Sequence, residues 1–400
     1  MIRKTIFTLI CALIVLPLSA QKMQLTPKEI GVLEKTQITG VDFKRVPMNY
    51  PRVVGYNSRK GIHGYGPNVP FFVIKSGDLK GLGAIGSQRQ ANPDNLGDFR
   101  TLLVGKKLVE LLDPVSFLVK PEYRAVDVAI YDLVGVVLNK PFYKLFGKPA
   151  QSKVKVYSGM IYFEDFTQEA VPIAPREAGL QKIIDACQYD WDFGYRQFKV
   201  KIGRGANWVS HDEGLKMDME VIRTIHEHFP EAEILVDPNN GYSVQDCIDF
   251  IEGIRPAKLY WMEEPFDENE AQYAEFDKWR KVNAPEVITI DGEFEPKREL
   301  CFELGRKGYL DAYCEDIHDF CFTEWIERIP MLKEIGMVAS PHAWGSAPKS
   351  IYAAQLALAF GSIETVEGVT CFADGVDMDY KVKNGWYVPS KRPGFGIILK

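Results

Sequence analysis

Short apolar runs that end on a polar residue recur through the second half of the chain. Leu259, Tyr260, Trp261 and Met262 rise into Glu263, Glu264 and Pro265; Ile234, Leu235 and Val236 stop at Asp237. Val287, Ile288, Thr289 and Ile290 lead into Asp291, Gly292 and Glu293. Phe198, Lys199, Val200 and Lys201 come earlier, and Asp316 and then Ser340, Pro341 and His342 come later. From Lys201 the polar tips are spaced 36, 26, 30, 23 and 26 residues apart. Each step holds one buried strand and one return helix, the repeat of a (β/α)8 barrel whose strands carry chemistry at their carboxyl ends.

The first half reads differently. Residues 37–48, 69–76 and 80–88 alternate or run apolar between glycines and predict a small antiparallel meander. Residues 57–68, glycine-rich and polar, predict a mobile loop. Helices are expected over 96–112 and 122–139; in the second, Val126, Ala129, Ile130, Leu133 and Val137 share one face. Pro141 and the Gly147, Lys148, Pro149 run end this section, so the domain boundary falls near 150. Residues 154–157 are the first barrel strand. The irregular stretch 161–179 reads as a lid or specificity element over the mouth. Further helices are expected over 214–229, 244–253, 271–281, 323–335 and 347–361. The fold class is thus α/β: a TIM-like (β/α)-barrel over 151–372 behind an N-terminal α+β capping domain over 21–150. A loop-like segment, 373–400, returns to the capping domain.

Composition narrows the function. The 400 residues are 46% hydrophobic and 26% charged, with a net charge of −6, which suits a soluble barrel plus companion domain and argues against a nucleic-acid partner. Arg3 and Lys4 precede an apolar segment from Ile6 to Leu18, followed by Ser19 and Ala20. That is the form of a signal peptide over 1–20, and it implies export to the periplasm or medium and no membrane attachment after processing. A membrane anchor fits less well, since the segment is short and contains Pro17. The six cysteines beyond it are irregularly spaced with no CxxC pair, so buried free thiols are expected rather than a zinc site.

Strand parity orders the chemistry. Gln197, Lys199 and Lys201 share one face and Phe198, Val200 and Ile202 the other, so both lysines point into the barrel. A buried ammonium costs several kcal/mol unless paired, and Asp237, Glu263 and Glu293 are the acids that face them. Three carboxylates on adjacent strand tips repel one another unless a cation lies between them, and oxygen-only ligation suits Mg2+. Parity separates Glu263 from Glu264; Glu263 is taken as the ligand. Asp316 and His342 end the next two strands, where a carboxylate can fix an imidazole's tautomer. His63, His211, His226 and His228 are read as structural; His318 shares the parity of Asp316.

Taken in order, Lys199 and Lys201, then Asp237, Glu263 and Glu293, then Asp316 and His342, the set resembles the mandelate racemase subgroup of the enolase superfamily over most of residues 40–372. The resemblance implies that Asp237, Glu263 and Glu293 bind Mg2+. It further implies that Lys201 is the base on one substrate face with Lys199 tuning it, and that His342, oriented by Asp316, is the acid/base on the other. Glu367 corresponds to the acid that hydrogen-bonds the enediolate, with Glu364 its rival, and Asn239 helps hold the ligand. The stretch after Asp316 lacks the glycine pair usual in the family. The implied activity is Mg2+-dependent dehydration of an acid sugar to a 2-keto-3-deoxy acid, with a racemase or epimerase as alternative and a non-catalytic exported carbohydrate-binding protein as the reading of another class. A homo-oligomer is expected.

Overall fold

The computed structural model describes residues 22–86, 91–167, 169, 171–293, 295–318 and 321–400; the leader expected over 1–20 lies outside them. An unanticipated helix comes first. In α1 (Pro27–Lys35), Thr26 and Glu29 form a capping box and Pro27 opens the first turn. The strands β1 (Gly40–Pro47), β2 (Asn68–Ser76) and β3 (Leu79–Ala84) make the expected antiparallel meander. The helix expected over 96–112 stops at α2 (Leu96–Leu103), because the chain turns at Gly105 with φ +91° before a single 3-10 turn over Leu108–Leu111. The helix expected over 122–139 opens with another 3-10 turn and is regular only over α3 (Asp127–Leu138). From Asp127 to Gly135 this helix is buried all round rather than on one face, since the meander covers one side and a barrel helix the other.

Eight parallel strands follow with seven helices between them: β4 (Lys155–Ile161), α4 (Arg176–Phe193), β5 (Gln197–Lys201), α5 (His211–His228), β6 (Glu233–Asp237), α6 (Val244–Gly253), β7 (Leu259–Glu263), α7 (Glu270–Asn283), β8 (Ile288–Asp291), α8 (Arg298–Lys307), β9 (Ala312–Tyr313), α9 (Phe322–Glu334), β10 (Val338–Ala339), α10 (Ala347–Phe360) and β11 (Thr365–Gly368). Neighbours pair in sequence order from β4 to β10, β11 pairs with β4, and Ala339 N–H of β10 donates to Ser362 O ahead of β11 at 3.0 Å. The irregular insertion ends at Pro175 rather than 179, because α4 begins there. Both α4 and α8 went unread: α4 mixes charged and apolar residues on all sides, and α8 fits ten residues between two polar tips.

The barrel interior is filled by Tyr157, Leu235, Trp261, Ile290, Ala312 and Cys314. Phe198 packs outward on Trp191 and Phe229, so the parity expected of β5 holds. All six described cysteines are buried free thiols. Among the described residues no helix is long and apolar enough to cross a membrane.

The tail is more ordered than a loop. Val376–Met378 pairs with Ile397–Leu399, and Trp386 lies opposite Lys155 of β4. Phe395 stacks on Phe142 at 4.8 Å, and its N–H donates to Asp132 at 2.7 Å. The other Asp132 oxygen accepts from Leu82 N–H at 2.7 Å, so one buried carboxylate ties α3, β3 and the tail together. Replacing Asp132 with alanine leaves two buried N–H groups unpaired. We expect a loss of roughly 2–4 kcal/mol, read as a lower midpoint in denaturant unfolding.

The loop expected to be mobile, 57–68, is pinned on the barrel mouth. Tyr56 bridges to Phe163 in the insertion, the Ser58 hydroxyl donates to Pro238 O at 2.6 Å, and Trp208 Nε1 donates to Asn57 O at 2.6 Å.

Candidate active site

At the carboxyl ends of β6, β7 and β8, Asp237, Glu263 and Glu293 each offer an oxygen within 4.8 Å of the others. Asp237 and Glu263 follow the alternation of their strands. Glu293 does not: Ile290 faces in and Asp291 faces out to Tyr273, so alternation alone would send Glu293 outward. Gly292, at φ +111°, turns the backbone and brings Glu293 back to the axis. Glu264, at φ +39°, lies past the strand end and accepts from Asn239 Nδ2 at 3.2 Å, while Glu263 joins the triad.

The expected cations face this triad. Lys199 Nζ lies 2.7 Å from Glu263, 2.9 Å from Glu367 and 3.7 Å from Asp237. Lys201 pairs with Asp237 and donates to Asn239 Oδ1 at 3.1 Å. On the far flank His342 Nδ1 donates to Asp316 at 2.8 Å, while Nε2 lies 3.2 Å from Glu293 and 3.6 Å from Glu367. Since β5 and β10 stand on either side of the three acid-bearing strands, Lys201 and His342 approach the triad from opposite sides. Every expected site residue is thus brought together. Glu367, not Glu364, is the inward acid: Glu364 accepts from Tyr260 at 2.5 Å at an exposed position. Glu367 fits because β4 carries Gly159, where a Cβ would lie 2.3 Å from its carboxylate. Asn239 faces the site, but its amide is engaged by Lys201 and by Glu264, 3.2 Å from its Nδ2.

Electrostatics follow from this crowding. Burial pushes Glu263 up, Lys199 opposes it, and the neighbouring acids carry it to about 7. Burial would raise Glu293 too, yet His342, Lys201 and Lys199 bring it down to about 2. Burial alone would lower His342; Glu293, Glu367 and Asp316 overcome it and hold the imidazole at about 9. Burial also disfavours charge on Lys201, but Asp237 outweighs both burial and Lys199 and raises the ammonium. Glu264 is pushed well above the carboxylate range by burial and by Glu293, Asp237 and Asp291.

The donor set fits a hard divalent cation. It is all carboxylate, with Asp237 and Glu263 buried and Glu293 half-buried, and Glu293 Oε2 is a buried acceptor with no hydrogen-bond partner among the described residues.

Sequence reasoning missed Lys349, whose Nζ sits 2.6 Å from the Asp316 oxygen that His342 also uses. It also missed Tyr162, whose ring lies 5.5 Å from Lys201 Nζ, and Trp344, 4.9 Å from that ring. Tyr162 was legible as the residue following a strand; Lys349, on the first turn of α10, carried no signal. His318 contributes its backbone N–H to Asp316 Oδ1 at 2.8 Å.

A capped (β/α)-barrel with three carboxylates on consecutive strand tips, lysines before them and an Asp–His pair after them defines a metal-assisted acid/base enzyme of the enolase type. Residues 182–400 match the family described as Enolase C-terminal domain-like, and the chain belongs to that family, on the mandelate racemase side of the enolase superfamily. Its fold closely matches a galacturonate dehydratase from Geobacillus sp. solved with D-galacturonate and 5-keto-4-deoxy-D-galacturonate: TM-score 0.83, 27% identity, covering 92% of this chain and 95% of that one. A mandelate racemase/muconate lactonizing protein from Geobacillus sp., complexed with magnesium and tartrate, gives TM-score 0.85 at 27% identity over 95% and 96% of the two chains. Arabinonate dehydratase from Saccharolobus solfataricus is 25% identical over 280 residues, 69% of each chain. A hydrophobic dipeptide epimerase from Enterococcus faecalis is 24% identical over 331 residues, 77% of this chain and 82% of that one. Magnesium is the family's cofactor.

Proposed function

We propose that the protein is a Mg2+-dependent acid-sugar dehydratase. The observation that carries this is the opposed placement of Lys201 and His342 about one carboxylate triad, with Asp316 behind the histidine. Asp237, Glu263 and Glu293 hold the cation, which when bound neutralises the substrate carboxylate and stabilises the charge released as the α-C–H bond breaks. Lys199, between Glu263 and Glu367, adds a fixed positive charge beside that carboxylate. Lys201, which faces Asp237 and Asn239, would take the α-proton; a cation held by Asp237 would supply the charge that lowers its affinity for that proton. His342, held protonated by Glu293, Glu367 and Asp316, gives its proton to the β-hydroxyl as the C–O bond breaks and water leaves. The enol that remains becomes the 2-keto-3-deoxy acid. Dehydratases among the relatives support this reading.

Bases on both faces, and the epimerase relative, support epimerisation as the second reading. Screening aldonic, uronic and aldaric acids with Mg2+ and following the products by NMR in D2O separates the two. Dehydration gives a 2-keto-3-deoxy acid; epimerisation exchanges the α-proton and keeps every hydroxyl. A tightly bound acid with no exchange and no product would favour the carbohydrate-binding reading.

The proposal extends to location. The leader pattern of residues 1–20 supports export, and the mature protein recovered from periplasm or medium is expected to begin near Gln21. Intact-mass measurement of the secreted species checks this; a mass that retains the first twenty residues contradicts it.

A further inference from the structure

His63, read from sequence as structural, stands at the mouth of the site. Its imidazole packs against Tyr162 with ring centroids 4.7 Å apart and against Trp344 at 6.0 Å. Tyr162 also meets Lys201 Nζ, 5.5 Å from its ring. The histidine is fixed twice to the capping loop: its N–H donates to Val54 O at 2.9 Å, and Nδ1 lies 2.8 Å from Gly55 O. A carbonyl oxygen can only accept, so Nδ1 carries the hydrogen and Nε2 of the neutral ring is a bare acceptor. The two ring nitrogens diverge, so Nε2 faces away from the loop backbone, and it has no hydrogen-bond partner among the described residues. Burial, helped by Lys201 and Lys60, lowers the imidazole to about 4, so the ring is neutral in ordinary buffers.

We propose that His63 is a specificity-determining residue: Nε2 accepts a hydrogen bond from a hydroxyl of the acid sugar, at the end remote from the reacting carboxylate. The lysine pair, the carboxylate triad and His342 occupy the reacting end, which leaves the capping-loop side for the rest of the sugar. A hydroxyl there donates to Nε2 in place of water. A second carboxylate has only lone pairs to offer, so a diacid is disfavoured against the monoacid of the same configuration. The substrate class therefore narrows to aldonic acids, which end in a hydroxyl, over aldaric acids. This inference rests on the acid-sugar reading above.

The test is steady-state kinetics with Mg2+ on matched pairs such as galactonate and galactarate, or arabinonate and its aldarate. Wild type is compared with His63→Phe, which keeps a ring and loses the acceptor, and with His63→Gln, whose amide can accept or donate. Wild type is expected to favour the monoacid by at least about tenfold in kcat/KM. His63→Phe should lose about tenfold on the monoacid, mainly in KM, with little change on the aldarate. His63→Gln should keep monoacid activity and gain on the aldarate, and it reads the same ratio should the phenylalanine variant fail to fold. A wild type that prefers the aldarate, or an unchanged ratio in folded variants that still bind Mg2+, overturns the role of His63 while the dehydratase reading stands. If wild type turns over no acid of the panel and exchanges no α-proton, the dehydratase reading falls and this inference with it.

Discussion

His342→Asn is expected to lower kcat by about 10³-fold on the best acid sugar, with Mg2+ affinity close to wild type. The histidine is not a member of the carboxylate triad, so the cation should still bind. Asparagine fills a similar volume, and Asp316 keeps its contact with Lys349, so the site should not collapse. What disappears is the only imidazole aimed at the triad among the described residues, together with the proton that Glu293, Glu367 and Asp316 hold on it. If that proton goes to the β-hydroxyl, the variant should still bind substrate and should stall before water leaves. Deuterium exchange at the α-carbon should then outlast dehydration, because Lys201 remains. An asparagine variant that dehydrates within tenfold of wild type would remove His342 from the chemistry.

Glu263→Gln should abolish turnover by weakening Mg2+ binding at least about 10²-fold. The effect on stability runs the other way. Glu263 is raised to about 7 by burial and by Asp237, Glu293 and Glu367, against the usual carboxylate value near 4.5. The folded state therefore binds more protons than the unfolded chain between those two values, and this group's contribution to stability falls as pH rises through that window. In EDTA at pH 8 the neutral glutamine removes that repulsion, and Lys199 keeps Glu367 as partner. The variant should therefore melt no lower than wild type in EDTA, yet gain nothing when Mg2+ is added, whereas wild type should rise. Isothermal titration and thermal melting with and without the ion check both halves. Undiminished Mg2+ affinity would contradict the ligand assignment.

Much of this site was legible before any coordinates because strand tips announce themselves. An apolar run that ends on Asp237 or Glu263 fixes both depth and direction, and period-two parity fixes the lysine pair on β5. Glu293 was legible by spacing alone; its inward turn depends on the backbone of Gly292, which a parity argument would have misread. Lys349 and His63 were hidden for another reason. One rides on a helix and the other on a capping loop, and which side chain reaches the mouth there is decided by packing against Asp316, Gly55 and Tyr162. The same holds for the fold. The nearly all-buried α10 was found as an apolar run, α4 lacks a clear stripe, and α8 has one but over only ten residues.

A crystal of His342→Asn grown with Mn2+ and the best acid of the panel would test the arrangement most directly. The account predicts one anomalous peak among Asp237, Glu263 and Glu293, the substrate carboxylate upon it, and the α-carbon between Lys201 Nζ and the side chain at 342. A peak elsewhere, or an α-carbon out of reach of both, would contradict it.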